Sequence, residues 1–210
     1  IKNVHNRHPL IHCITNYVSI NDCANIVLAC GGAPIMAEDI NEVSQITSIC
    51  QGLDINIGML NDNKLSSMLK AGATANELGI PVILDPVGAG SSDYRIKAVQ
   101  NLMSNVQFGV IRGNVSEIKA IAAKQGIHNI AAGVYETMQK DKSAMGVEAG
   151  IADKITDDNI KEMADFINKL SQKTGAVIAV TGGIDMVADE NRVYAIRNGH
   201  KMMSLVTGAG

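Results

Sequence analysis

Gly79-Ile80-Pro81-Val82-Ile83-Leu84-Asp85-Pro86-Val87-Gly88-Ala89-Gly90 sits between two kinds of chain. Ahead of it, Lys64 to Leu78 is a long Ala/Met/Leu-rich run that predicts a helix, with Gly79 placed just past its end. Pro81 to Leu84 is apolar and too short for a helix, so it predicts a buried strand that delivers Asp85 to a glycine loop. Glycines spaced around a small residue let successive backbone N–H groups turn inward, which makes an anion-binding nest. A second run of this kind, Thr207-Gly208-Ala209-Gly210, follows the apolar Leu205-Val206. Each run, taken alone, is also compatible with an ordinary glycine turn.

Outward from this stretch the same alternation continues in both directions. Leu10 to Ile14 predicts a strand, with Thr15-Asn16-Tyr17 as the polar turn beyond it. Val18 to Cys30 predicts a helix, with Asn21 as cap and Gly31-Gly32 as stop. Ala33 to Met36 predicts a strand, Asn41 to Cys50 a helix ended by Gly52, and Leu53 to Ile57 a strand closed by Gly58. Downstream come a helix over Tyr94 to Asn105, a strand over Phe108 to Ile111 followed by Arg112-Gly113-Asn114, and a helix over Val115 to Lys124. Asp157 caps a helix reaching about Lys173, and Ala176 to Val180 is a strand ending at Thr181. Asp185 to Ala188 and Val193 to Arg197 predict a hairpin, and Asn198-Gly199 a turn into a strand over His200 to Val206. Strand and helix alternate, so the fold class is α/β with a mostly parallel sheet whose ligands gather at the carboxyl ends of the strands. Residues 126–156 resist assignment and form a candidate insertion in a single domain spanning 1–210.

Composition narrows the partners. With 46% hydrophobic residues, 3% aromatics and no Trp, the core is aliphatic. The net charge of -3, without a Lys/Arg block, gives no electrostatic footprint for nucleic acid or an anionic membrane. No apolar run reaches the length of a membrane span and the amino terminus lacks a signal-peptide layout, so a cytoplasmic protein with a small ligand is expected. Cys13, Cys23, Cys30 and Cys50 form no C-x-x-C pair and predict free thiols. His5, His8 and His12 are separated by Pro9, which interrupts any helix that would align them for a metal.

Four polar groups follow predicted strands: Asp85, Arg112, Glu117 and Thr181. Phosphoryl transfer needs cations on the transferring group, a carboxylate-held magnesium and a nest of backbone donors, and this set can supply them. Each member has a plainer reading beside it. Asp85 can form a turn before Pro86, Arg112 can make a surface ion pair, and Thr181 can cap the turn at Gly182. Asn114-x-x-Glu117 has the spacing of a capping box, so Glu117 can serve the cap, the metal or both, and a Gln there would still accept from the cap's N–H. Neither G-x-x-x-x-G-K-[ST] nor G-x-G-x-x-G occurs.

His12-Cys13-Ile14-Thr15-Asn16-Tyr17-Val18, Gly32-Ala33-Pro34-Ile35-Met36-Ala37, Leu84 to Gly90, Ile111-Arg112-Gly113-Asn114-x-x-Glu117, Val180-Thr181-Gly182 and Thr207 to Gly210 resemble, in order and approximate spacing, the hydroxyethylthiazole kinases. The resemblance covers nearly the whole chain; residues 126–156 are longer than the family leads one to expect. It implies a ribokinase-like three-layer sandwich, with helices flanking a mostly parallel central sheet. It also implies ATP-dependent phosphorylation of the primary alcohol of 4-methyl-5-(2-hydroxyethyl)thiazole, in thiamine biosynthesis and salvage, by a homotrimer with active sites between subunits.

Carried over motif by motif, Asn16, Val18, Met36, Gly58 and Gly208 line the thiazole pocket. Arg112, Asn114 and Thr181 hold ATP phosphates, Asp85 and Glu117 serve Mg2+, and Gly208 and Gly210 join Arg112 at the catalytic centre. The family's general base, Cys or Asp, is expected directly after Gly210, so the 210 residues read as a chain cut short. Rival readings keep the fold with a pyrimidine, vitamin-B6 or nicotinamide-hydrate substrate, or make the chain a non-catalytic nucleotide-binding module. The Asp-Pro and Gly-Ala-Gly loops suit the rival enzymes, which leave His12 to Val18 and Met36 unexplained.

Overall fold

The computed structural model describes residues 2–126, 154–200 and 202. The described strands form a mostly parallel sheet of eight, and the chain divides into two compact units. The first comprises 1–85 and 101–109, the second 86–100 and 110–210.

In the first unit the elements are α1 (Lys2–Arg7), β1 (Leu10–Ile14), α2 (Ile20–Ala29), β2 (Ala33–Ile35), α3 (Val43–Ser48), β3 (Gly52–Asn56), α4 (Asp62–Glu77) and β4 (Val82–Asp85). Its strands run in the order β2-β1-β3-β4, all parallel, with Ile14 beside Ile55 and Asn56 beside Asp85. Ile14, Leu53, Ile55, Ile57, Met68 and Leu84 are fully buried and make the aliphatic core that the composition calls for. α4 is capped by Asn61, whose side chain accepts from the Lys64 N–H. It ends before Gly79, whose φ of +67 is the left-handed conformation that closes a helix cheaply only with glycine.

In the second unit, α5 (Asp93–Asn105) begins after the Gly88–Gly90 turn and its last residues belong to the first unit. β5 (Val110–Asn114), α6 (Val115–Lys124), α7 (Ile160–Thr174), β6 (Val177–Thr181), β7 (Asp185–Ala188) and β8 (Val193–Ile196) follow. β5 and β6 are parallel, β7 pairs antiparallel with β6, and β7 and β8 form the predicted antiparallel hairpin. α7 buries Met163, Phe166, Ile167 and Leu170, an i, i+3, i+4, i+7 stripe.

Several boundaries differ from expectation. α2 starts after Ser19, not at a cap on Asn21, because the Asn16 side chain holds the Ser19 N–H and hydroxyl. Asn41 bonds Asp39 and does not cap α3, and Gly52 opens β3. Asp157 lies in the turn before α7 and pairs with Arg197. Arg112, Asn114 and Thr181 are inside strands, because the β5–β6 ladder runs on to Asn114 beside Thr181. His200 is not in a strand; most of the stretch to Val206, together with 127–153 of the candidate insertion and all of Thr207 to Gly210, lies outside the described residues.

Candidate active site

In the first unit, polar side chains converge where the parallel strands end. Asn16 follows β1, Asn56 closes β3, Gly58 follows it, and Asp85 closes β4. Asn56 links them: its Nδ2 donates to Asp85 Oδ2 at 3.0 Å, and its Oδ1 accepts from the Gly58 N–H at 2.8 Å and from Asn16 Nδ2 at 3.4 Å. Because the backbone N–H of Gly58 fixes which end of the Asn56 amide accepts, the other end must donate, and Asp85 receives that donor as a carboxylate. Gly58 also has no room for a side chain, since a Cβ there would stand 2.9 Å from both Asn16 Nδ2 and Asn56 Oδ1. Met36, just past β2, is half-buried, and Val18 is 75% exposed.

A second cluster lies beside these residues. Lys64 is 3% exposed; its ammonium donates to the Thr15 carbonyl, pairs with Glu38 Oε2 at 2.9 Å and lies 4.5 Å from the centre of the Tyr17 ring. The Tyr17 hydroxyl donates to the other Glu38 oxygen. Although partial burial opposes it, donation from Tyr17 and Lys64 holds the Glu38 carboxyl below its ordinary range. Beneath them His12 is fully buried, with Nε2 2.8 Å from the Ala37 carbonyl and Nδ1 2.8 Å from the Thr47 hydroxyl. Burial lowers its pKa, so it is a neutral imidazole that donates from Nε2 and accepts at Nδ1. Burial also pushes the Cys13 thiol up to about 12, with nearby Asp54 adding to the shift, and makes it inert.

In the second unit, α6 opens with a complete capping box. Asn114 Oδ1 accepts from the Glu117 N–H at 2.9 Å, and Glu117 Oε2 accepts from the Asn114 N–H at 2.8 Å. Glu117 Oε1 accepts from the Gly88 N–H at 2.8 Å, so this carboxylate, only 6% exposed, ties the helix start to the glycine turn. The Arg95 guanidinium holds the same turn by donating to the Val87 carbonyl. A Cβ on Gly113 would stand 3.0 Å from Glu117 Oε2, so the glycine makes room for the carboxylate. The Thr181 hydroxyl donates to the Gly113 carbonyl at 3.4 Å, and Arg112 is half-buried on the face of β5 shared with Asn114.

The hydroxyethylthiazole kinase family matches residues 1–210. The chain belongs to that family. Hydroxyethylthiazole kinase of Clostridium acetobutylicum is 52% identical over 210 residues, covering 100% of this chain and 71% of the relative. That of Desulfovibrio desulfuricans is 46% identical over 207 residues, covering 99% and 67%. The solved structure of hydroxyethylthiazole kinase from Pyrococcus horikoshii superposes with a TM-score of 0.80 at 32% identity, covering 99% of this chain and 68% of that one. The fold is therefore α/β and ribokinase-like.

Of the residues that the resemblance to hydroxyethylthiazole kinases singles out, the structure brings Asn16, Gly58 and Asp85 together in the first unit, and Asn114, Glu117 and Thr181 together in the second. Gly208 and Gly210 lie outside the described residues. Asn56 and Lys64 escaped the sequence reading. Asn56 falls inside the predicted strand Leu53 to Ile57, where nothing local marks its partners, and a Lys in the first turn of a helix reads as solvated surface.

Among the described residues no group of three or more His, Cys, Asp or Glu is placed to hold a metal ion. Magnesium keeps several waters and takes one or two carboxylates beside substrate phosphates, so Asp85 and Glu117 suit it chemically without such a cage.

Proposed function

We propose that this chain transfers the γ-phosphoryl group of ATP to the primary alcohol of 4-methyl-5-(2-hydroxyethyl)thiazole, in thiamine biosynthesis. The observation that carries this reading is the 52% identity with a hydroxyethylthiazole kinase over all 210 residues. Residues 1–210 act as one kinase domain. Asn16 addresses the polar edge of the thiazole; Val18, Met36, Gly58 and Gly208 line its apolar side, the usual composition of a small-ligand pocket. Arg112, Asn114 and Thr181 hold the ATP phosphates, and Gly208 and Gly210 donate backbone N–H groups to the transferring group. Asp85 and Glu117 hold magnesium, which when bound neutralises charge on the transferring phosphoryl. Glu117 also keeps the Gly88 turn closed on the start of α6, and Asn56 keeps Asp85 facing a donor.

The active assembly is a homotrimer in which Met36 meets substrate across a subunit boundary. In support, none of α2's ten residues is buried although seven are apolar. An apolar face this broad is normally covered. A cytoplasmic location fits the four free cysteines.

Steady-state ATP turnover by the full-length protein tests the activity. Turnover that depends on the thiazole alcohol and yields its phosphate monoester is expected. Turnover faster with a pyrimidine or pyridine alcohol, or none with any alcohol, would overturn it.

A further inference from the structure

Lys64 stands where electrostatics disfavours a cation twice over. It is in the first turn of α4, where the aligned peptide dipoles repel positive charge, and its side chain is almost fully removed from water. A buried ion pair seldom adds net stability over a well-packed apolar side chain, so stability alone does not explain a lysine here. Its partners are informative. The ammonium is bonded to the carbonyl of Thr15, the residue directly before Asn16, and to the carboxylate of Glu38, two residues beyond Met36. Tyr17, directly after Asn16, lies under the same ammonium and donates to the same carboxylate. An ammonium directs three donors tetrahedrally from one point, which suits a carbonyl, a carboxylate and a ring face on different sides.

We propose that Lys64 is a positioning residue for the thiazole half of the site: it ties the loop after β1 and the loop after β2 to α4 and thereby sets the spacing between Asn16 and Met36. The inference rests on the reading that Asn16 and Met36 contact the thiazole. It adds a residue that touches no substrate and yet decides how well the substrate fits. Small displacements of contact groups cost affinity steeply, so the device acts on thiazole recognition and leaves nucleotide recognition alone.

The test compares KM for the thiazole alcohol with KM for ATP in Lys64→Met, Glu38→Gln, the double variant and Asn16→Ala, each alongside a thermal melt. Lys64→Met is expected to raise the thiazole KM by about tenfold to a hundredfold while the ATP KM stays within about twofold. Glu38→Gln, which keeps one of the two contacts, should raise it less, and the double variant should match Lys64→Met because both changes cut the same tie. Glu38 is 41% exposed, so its variant folds and decides the matter if Lys64→Met does not. A lowered melting temperature with both KM values unchanged would reduce Lys64 to a structural part and overturn the inference. So would an equal rise in both KM values, or an unchanged thiazole KM in Glu38→Gln. If Asn16→Ala leaves the thiazole KM untouched, the reading of the pocket falls and this inference with it; if Asn16→Ala raises it and the Lys64 and Glu38 variants do not, the inference alone falls.

Discussion

Both oxygens of Glu117 accept backbone N–H groups, one from Asn114 and one from Gly88. A Gln offers a single acceptor oxygen, so the expectation that Glu117→Gln would simply preserve the cap needs correcting: its amide nitrogen must face one of two N–H donors. Leaving such a donor unpaired in a site this buried costs about 1–3 kcal/mol, to be seen as a lower melting temperature. If Glu117 also serves magnesium, turnover falls at least about a hundredfold and needs more magnesium. Near-normal turnover with an unchanged magnesium requirement would confine Glu117 to the cap. His12 gives a prediction of opposite character. Its folded pKa lies below 6.5, so its contribution to stability is complete above pH 6.5. Below that the unfolded chain takes up a proton that the folded chain refuses, and stability declines as pH falls toward the folded value. Melting temperatures should therefore drop as pH falls below 6.5, and His12→Asn should show a shallower drop. Equal slopes would place the titrating group elsewhere.

At the scale of elements, the strands were legible wherever four or five apolar residues ended at a glycine or a turn, as at Leu10 to Ile14. Helices were legible where caps matched periodicity, as in α6 between Asn114 and Lys124. What failed was set by partners distant in sequence. Arg112 and Thr181 read as loop residues because nothing local shows that β5 and β6 pair to their last residues. Asn21 reads as the cap of α2, because the bond from Ser19 to Asn16 that precedes the helix arises from the turn and not from helix propensity. Gly72 shows the same conflict in a testable form. In the middle of α4, replacing it by Ala should add about 0.5–1 kcal/mol by helix propensity. A Cβ there would, however, stand 2.5 Å from Val106 Cγ2. Overpacking of a buried contact costs about 1–3 kcal/mol, so Gly72→Ala should lower stability, and adding Val106→Ala should recover part of the loss. Denaturant melts of the two single variants and the double decide it; a stabilised Gly72→Ala would mean that propensity wins over packing.

On the scale of the whole molecule, Asn16, Asp85, Asn114 and Thr181 could be singled out in the sequence because each lies at or just past a strand end, where the chain must turn. Asn56 and Lys64 could not, since what they do depends on the Asp85 carboxylate 29 residues away and the Thr15 carbonyl 49 residues away. Quaternary structure is encoded differently, as surface that one chain leaves uncovered. Tyr17, Val18, Ile26 and Leu28 are 52%, 75%, 61% and 56% exposed. Large apolar side chains left in water on one helix and the turn before it are candidates for cover by a partner. A second and third copy of the chain are the occupants that the family resemblance implies. Sedimentation equilibrium at micromolar concentration should give three chains per particle. Ile26→Glu with Leu28→Glu places two carboxylates at exposed positions on different sides of α2, where they remain hydrated in a lone chain but lose their water where an assembly covers them. The variant should sediment as a single chain with an unchanged fold by circular dichroism. Because Met36 is proposed to meet substrate across the boundary, its thiazole KM should rise while nucleotide binding persists. A wild-type protein that sediments as one chain and is fully active would end the trimer reading, and a trimeric variant with normal kinetics would show that the subunits meet through another face.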